Sequence, residues 1–379
     1  MINRFFKTME RQCNNIEIEP NLEEKDVEIL ENGVQSIIPS EDYDGLSKVV
    51  ITTNIPSKEE QKKTIEITEN GTISVLPDEG KVLNEVSITT NVPQDNTLKK
   101  VLDATKSATY LFYQYNGDDL NNLIKYNDTS EVTNMSRMFQ SCKSTIFPVL
   151  NMSKVTNTSY MFYECTKMTE SPNVNLSSAT NCDSVFRNCE NMVTCEINDF
   201  SNATDMSGLF ATCRKLENIP SQLITPKVTN TSYMFYYCNS LETAPEMNTS
   251  NVTNMADMFS NCKITTTPLY DTSKVKNMSE MFWLVSTLET VPAYDLTNVT
   301  NMTNMFVGCR NLKHIYMTNI GVSFDISVST LFEREDLIVI LNNLKTVTTT
   351  QTLKMGATNL ARLTDEDKLI ATNKGWTLA

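Results

Sequence analysis

Val299-Thr300-Asn301-Met302-Thr303-Asn304-Met305-Phe306-Val307-Gly308-Cys309 is the stretch on which the reading of this chain turns. Its pattern recurs upstream on a phenylalanine beat: Phe139, Phe162, Phe186, Phe210, Phe235, Phe259, Phe282 and Phe306, at intervals of 23, 24, 24, 25, 24, 23 and 24 residues. A period of this size marks a stacked-repeat architecture. Four before each Phe stands a Met, Thr or Cys; one before stands a Met, Val or Leu. Three after stands a Cys in seven copies and Val285 in the eighth. The offsets −4, −1, 0 and +3 equal i, i+3, i+4 and i+7, which predict one face of a two-turn helix. So short a helix is unstable alone in water, so neighbouring copies must stack and bury it.

Five before the Phe is Asn, or Asp205 in one copy. Two readings stand for this column: an N-cap for the helix, or a stacked row of side chains satisfying loop backbone. Seven before comes Val or Ala, expected to turn inward. After each helix an apolar anchor such as Leu241 or Leu288 leads into a short extended piece, Glu242–Pro245 or Glu289–Pro292. We read one strand there per repeat, ended by a proline that cannot donate to a ladder. The fold expected is an α/β repeat solenoid, leucine-rich-repeat-like, with one short strand and one short helix per coil, preceded by small all-β modules.

The unit resembles the BspA-like leucine-rich repeat, also met in mycoplasma-type surface lipoproteins, which repeats a VTNMSxMFxxCxxL core. The resemblance spans about residues 128–316. It implies a leucine-rich-repeat-like solenoid that serves adhesion or partner binding.

Four segments follow. Residues 1–24 hold Ile2, Phe5, Phe6 and Met9 on one helical face. That face reads either as a capping helix or as an anchor that inserts Phe5 and Phe6 into another virion protein. Residues 25–97 are two tandem β modules: Asn32-Gly33 returns as Asn70-Gly71, and Pro39 as Pro77, each 38 residues on. Both show alternation around an Asn-Gly turn, then a third strand ending in Thr-Thr-Asn-Ile/Val-Pro. Modules so small need a partner to pack on. Their ENGxxxxxP pattern resembles short modules in structural proteins of tailed bacteriophages. Residues 98–316 carry the repeats, with a degenerate leading coil on Phe112, and 317–379 form a C-terminal cap. In the cap, Thr330–Glu333 is expected to open a helix over 331–345 with Leu331, Leu337, Ile338, Leu341 and Leu344 inward. Thr364–Asp367 opens another, which ends at Gly375. The final segment also resembles the ends of repeat proteins carried by tailed phages of gut bacteria.

Composition narrows the chemistry. With 46 acidic against 32 basic residues the net charge is −14, which disfavours nucleic acid as a partner. The lone histidine, His314, disfavours His-based catalysis and multi-His metal sites. No apolar run is long enough to span a membrane, and the N-terminus lacks a signal peptide's apolar core. No CxxC occurs, so the ten cysteines read as buried reduced thiols in the repeat columns, with Cys13 and Cys195 outside them. The Asn-x-Ser/Thr sites, among them Asn134, Asn157, Asn230, Asn251, Asn277 and Asn301, read mostly as capping residues. No catalytic residue, cofactor or metal is expected, so the chain is read as non-enzymatic.

Several aromatics escape the core columns: Tyr160, Tyr163, Tyr233, Tyr236, Tyr237, Tyr270, Trp283 and Tyr294. Tyr and Trp offer an apolar body with a polar handle, suited to a protein or sugar partner. Tyr236, Tyr237 and Trp283 are the candidate binding surface; packing at coil edges is the other reading. The expected role is a structural and adhesion protein on the virion of a tailed phage, as a head or tail fibre or a decoration protein. It would contact other virion proteins through its N-terminus and a bacterial surface protein or glycan through the repeats. The alternative is a bacterial cell-surface adhesin. Whether copies associate into a homo-oligomer is left open.

Overall fold

A computed structural model describes residues 106–117, 120 and 129–379, and the backbone of five strands between residues 29 and 90. The chain divides into two compact units, one of them Asn15–Lys100 and the other containing Val101–Ala379. In the first, β1 (Ile29–Leu30) and β2 (Gly33–Val34) form an antiparallel hairpin with Leu30 opposite Gly33. β3 (Lys48–Thr52) runs antiparallel to β5 (Val82–Thr90), and β4 (Glu60–Ile67) lies parallel on the other edge of β5. The third strands of the two modules therefore pair with each other, Val49 opposite Ile88. A third strand helps because an isolated two-stranded hairpin is marginal in water. The Asn70-Gly71 turn and the anchor residues Phe5 and Phe6 fall outside the described residues.

In the second unit the repeats stack in parallel register. A row of bridges joins Ser107 to Asn134 and continues through Asn157, Asn181, Asp205, Asn230, Asn254 and Asn277 to Asn301. Phe112 begins the stack as its first coil. Its ring lies 5.6 Å from that of Phe139, and the row of Phe rings continues to Phe306. Neighbouring centroids are 5.2–6.2 Å apart with planes within 13° of parallel. Such offset stacks add roughly 0.5–1.5 kcal/mol per pair beyond burial. The Met, Leu and Val at −1 and the Val or Ala at −7 are buried throughout.

The two-turn helix predicted for each coil is not formed. Its place is taken by linked turns with a left-handed residue at −2 and another at +2. Positive φ runs from Arg137 (58°) and Ser141 (58°) through Tyr233 (58°) and Tyr237 (58°) to Asn304 (56°) and Gly308 (85°). A right-handed helix cannot pass through such residues. The apolar offsets survive because two turns of three-residue reach also place −4, −1, 0 and +3 on one side.

The reward for the strained residues is a complete hydrogen-bond scheme. The N–H groups of Met138, Gln140 and Cys142 bond back to Met135, Arg137 and Phe139 of the same coil, at 3.2, 3.2 and 3.0 Å. The alternate groups, Met135, Arg137, Phe139 and Ser141, donate to Asn157, Ser159, Met161 and Tyr163 of the next coil, at 2.9, 2.9, 2.8 and 2.6 Å. About every second peptide is thus satisfied only by a neighbour, and buried peptide groups must be paired.

The N–H at −3 goes to the Asn column. Asn134 Oδ1 accepts from Ser136 N–H at 3.0 Å, and the same bond recurs at Asn157, Asn181, Asp205, Asn230, Asn254, Asn277 and Asn301. These are Asx turns: the N-cap bond is made, but no helix follows. Thr hydroxyls at −6 form a further row, each donating to the carbonyl one coil back, as Thr180 does to Thr156 at 3.1 Å.

Strands in the repeats are shorter than predicted. β6 (Gln222–Leu223) pairs in parallel with β7 (Glu246–Met247), and β8 (Thr290–Val291) with β9 (His314–Ile315). Glu242–Pro245 is not a strand; pairing begins one residue beyond Pro245, whose nitrogen has no proton to give. Elsewhere, as from Glu170 through Thr194 to Asn218, only the backbone of one residue is bridged.

The C-terminal segment adds a parallel sheet of β10 (Phe324–Asp325), β11 (Gln351–Lys354) and β12 (Trp376–Leu378), with helices α1 (Arg334–Asn343), α2 (Gly356–Leu360) and α3 (Asp365–Thr372). Helix α1 starts at 334, not 331. Leu331 is exposed because Phe332 occupies the core in its stead, and Ile340, not Ile338, is fully buried with Leu337 and Leu341. Helix α3 opens on Thr364 as predicted but ends at Thr372, short of the expected Gly375. It carries a capping box: Asp367 N–H donates to Thr364 Oγ1 at 3.2 Å and Thr364 N–H to Asp367 Oδ2 at 2.9 Å. Arg334 donates from Nε and Nη2 to the same carboxylate, at 2.9 and 2.7 Å, and ties α1 to α3.

Candidate functional site

The linked turns project three columns outward, at −2, +1 and +2 from each Phe. The left-handed residues make this possible: they turn the −2 and +2 side chains away from the core that −4, −1, 0 and +3 fill. Tyr236 (+1) and Tyr237 (+2) lie side by side with ring centroids 4.5 Å apart. Tyr237 reaches across one coil to Trp283, centroids 6.4 Å apart. Tyr233 (−2) stands edge-on to Tyr236 at 5.5 Å, and Arg214 lies 5.8 Å over the Tyr237 ring. The three aromatics singled out from sequence therefore form one contiguous half-buried patch, which Tyr233, 43% exposed, extends.

Polar groups border these rings. Asp257, at −2 in the intervening coil, accepts from Ser260 Oγ at 3.1 Å. Burial pushes its carboxyl above the ordinary range, and the Ser260 and Tyr233 hydroxyls partly offset this. Burial also lifts the Tyr233 and Tyr236 phenols, with Asp257 adding to the shift at both. The patch is thus a set of neutral rings beside carboxylate acceptors.

Two of the aromatics do not belong to it. Tyr270 and Tyr294 are buried at 2% and 0% exposure, stacked on each other at 6.3 Å. Tyr270 Oη donates to the Pro245 carbonyl at 2.7 Å. They are core residues. Tyr160 and Tyr163 lie on the same outward columns as the patch but nearer the start of the stack.

The thiols lie on the other side. Nine cysteines are described, all free and buried, Cys195 included. In six coils Sγ–H donates to the Phe carbonyl of another coil, as Cys213 does to Phe186 at 3.0 Å. Desolvation pushes Cys182 and Cys309 up to about 12, and Cys142 and Cys195 up to about 11. Thiols held neutral in this way are poor nucleophiles. His314 Nδ1 sits 2.8 Å from Asp336 Oδ1 beside α1. The Asn-x-Ser/Thr asparagines at −5 are engaged in Asx turns, and Asn251 Nδ2 donates to the Pro226 carbonyl at 3.1 Å. Among the described residues no cluster of His, Cys, Asp or Glu is arranged to hold a metal, and no helix is long and apolar enough to cross a membrane.

A family model described as "Mycoplasma protein of unknown function, DUF285" matches residues 104–200 and 204–320, more than half of the chain. The chain belongs to the DUF285 family. The mycoplasma-type repeat family expected from the Phe-centred unit is thereby shown. The DUF285 match takes in the first coil on Phe112 as well as the eight that follow, and ends where the C-terminal sheet and helices begin. No curated protein matches the chain.

The sequence reading missed two features of the DUF285 region. One is the left-handed pair in each coil; Gly208 at −2 and Gly308 at +2 are its visible trace. The other is the position of Arg137, whose guanidinium lies 4.2 Å over the Tyr160 ring and 5.8 Å over that of Tyr110.

Proposed function

We propose that this protein is a non-enzymatic adhesion protein, a repeat solenoid whose outward turn face binds a bacterial surface through Tyr236, Tyr237 and Trp283. The observation that carries the reading is the contiguity of those three rings, which come from two coils and are linked through Tyr237, 4.5 Å from Tyr236 and 6.4 Å from Trp283. Aromatic rings with a polar rim are what binding hot spots are made of. The inward columns are filled with core residues, and their thiols are held neutral by burial.

We further propose that the chain is carried on the virion of a tailed phage, with residues 1–24 as the anchor. Support comes from the resemblance of residues 25–97 to phage structural modules. Many copies on one particle would raise avidity even for a weak site.

Two measurements test this. Tyr236→Ala, Tyr237→Ala and Trp283→Ala combined are expected to lower attachment to host cells while leaving the fold intact by circular dichroism; unchanged attachment discards the surface. Mass spectrometry of purified particles is expected to find the chain, and deletion of residues 1–12 to remove it. A chain found on the bacterial envelope and never in particles makes it a cell-surface adhesin instead.

A further inference from the structure

The outward face carries a second aromatic station that the reading above does not use. Tyr110 and Tyr113 occupy −2 and +1 of the first coil, Tyr160 and Tyr163 the same columns two coils on, and Tyr233 and Tyr236 three coils beyond. Each pair meets edge to face, with centroids 5.6, 5.5 and 5.5 Å apart and planes 84°, 62° and 72° from parallel. One local arrangement is thus built three times on one face. Arg137 fixes the new station: its guanidinium stacks on Tyr110 and Tyr160 and donates from Nη1 to Gln140 Oε1 at 2.9 Å. The rings remain available, Tyr110 and Tyr113 being 45% and 38% exposed.

Between the stations the columns hold no aromatic ring. Ser184 and Gly208 occupy −2 and Ala211 occupies +1, all three buried, while Arg187 at +1 is half-buried. A Cβ added to Gly208 would lie 2.9 Å from Ser184 Oγ. The face therefore runs as aromatic rings, two ring-free coils that carry Arg187, and aromatic rings again. At roughly 4.8 Å per coil, the gap from Tyr163 to Tyr236 is about 14 Å.

We infer that both stations grip a single extended, uncharged glycan chain laid along the stack. This rests on the adhesion reading and names its ligand class. Three observations favour it. A coil rise of about 4.8 Å is close to the advance of one pyranose along a linear chain, so successive coils meet successive sugars. Ring faces suit the C–H faces of pyranoses, and the half-buried Glu280 at the second station can accept from sugar hydroxyls. Arg137 and Arg214 are already stacked on rings of the face, and the chain's net charge of −14 disfavours uronate, sulfate and phosphate polymers. A compact protein partner would be expected to centre on one cluster within a rim; two stations split by two ring-free coils suit a rod.

The test uses full-length protein and surface-immobilised N-acetylglucosamine and glucose oligomers of graded length, with heparin and polygalacturonate as polyanions. Affinity is expected to rise about 100-fold once the oligomer is long enough to reach both stations, as second-site binding becomes intramolecular. Tyr160→Ala with Tyr163→Ala should remove that gain and leave short-oligomer binding intact. If that variant melts early, Tyr110→Ala with Tyr113→Ala reads the same station from its exposed edge. Length-independent binding, or preference for the polyanions, overturns the inference. Failure to bind any neutral oligomer, while cell attachment still needs Tyr236, overturns the glycan assignment and leaves the adhesion reading standing. Loss of neither on Tyr236→Ala sinks the adhesion reading itself.

Discussion

The inward and outward columns of the same turns follow opposite rules. Inside, Phe is invariant over nine coils from Phe112 to Phe306, and the +3 slot is Cys with one Val among the eight Phe-centred repeats. Outside, −2 alone holds Arg137, Tyr160, Ser184, Gly208, Tyr233, Asp257, Glu280 and Asn304, with no two successive coils alike. Both sets sit on one backbone with one hydrogen-bond scheme. The difference lies in what the neighbour demands. An inward side chain must fill a space bounded by two other coils, whereas an outward one need tolerate its φ and fit its column neighbours, as the buried Ser184 and Asp257 do. Sequence uniformity therefore reports packing here, and sequence variety reports the surface that is free to bind.

The comparison breaks first if the inner row is not where stability resides. Phe186→Ala removes a fully buried ring stacked on both sides and is expected to cost about 3–5 kcal/mol in denaturant unfolding. A cost below that of an outward substitution would refute the assignment. The thiols offer a second test. Their raised pKa means the folded state keeps protons that the unfolded chain loses. Their contribution is therefore complete below the ordinary thiol value of about 8.5 and drains away as pH climbs towards the folded values. Calorimetry at pH 7, 9 and 10 should show the melting temperature falling, with Cys182 and Cys309 protected up to about 12; a flat profile contradicts buried neutral thiols.

Smaller effects sharpen the picture. Gly308→Ala places a Cβ 3.1 Å from Leu284 Cα at φ 85°, and is expected to cost about 1–2 kcal/mol. Gly208→Ala should cost less, because its nearest contact is the Ser184 hydroxyl and other coils carry side chains at the same φ. Tyr237→Ala stands at the end of the series. Its half-buried ring packs on Tyr236 and Trp283, so its stability change is expected at about 1 kcal/mol or less, while attachment falls.

The stack was legible in the sequence because its period and its buried columns are direct consequences of packing. Its local conformation was not. Offsets of −4, −1, 0 and +3 fit a helix and a pair of turns equally well, and Arg137, Tyr233 and Glu280 conceal the positive φ that Gly208 and Gly308 reveal. The Asn column shows the same limit: a side chain accepting from the N–H two residues on is common to an N-cap and an Asx turn. At the candidate site, Tyr236, Tyr237 and Trp283 stood out because they fill fixed outward columns. Tyr270 and Tyr294 misled because they lie beyond Pro268 and Pro292, where the coil length varies and no column exists to assign them. In the cap, Thr364 and Asp367 announced α3 correctly, whereas Leu331 gave up its expected place to Phe332.

The bonds that pass from each coil to the next carry one more consequence. The intervals vary from 23 to 25 residues, yet the spacing of the Asn column to the cysteine column never changes. Length differences are confined to the opposite flank. Recombination that adds or drops a whole unit would thus shift the distance between ring clusters in fixed steps without redrawing either cluster, leaving reach and grip to evolve separately.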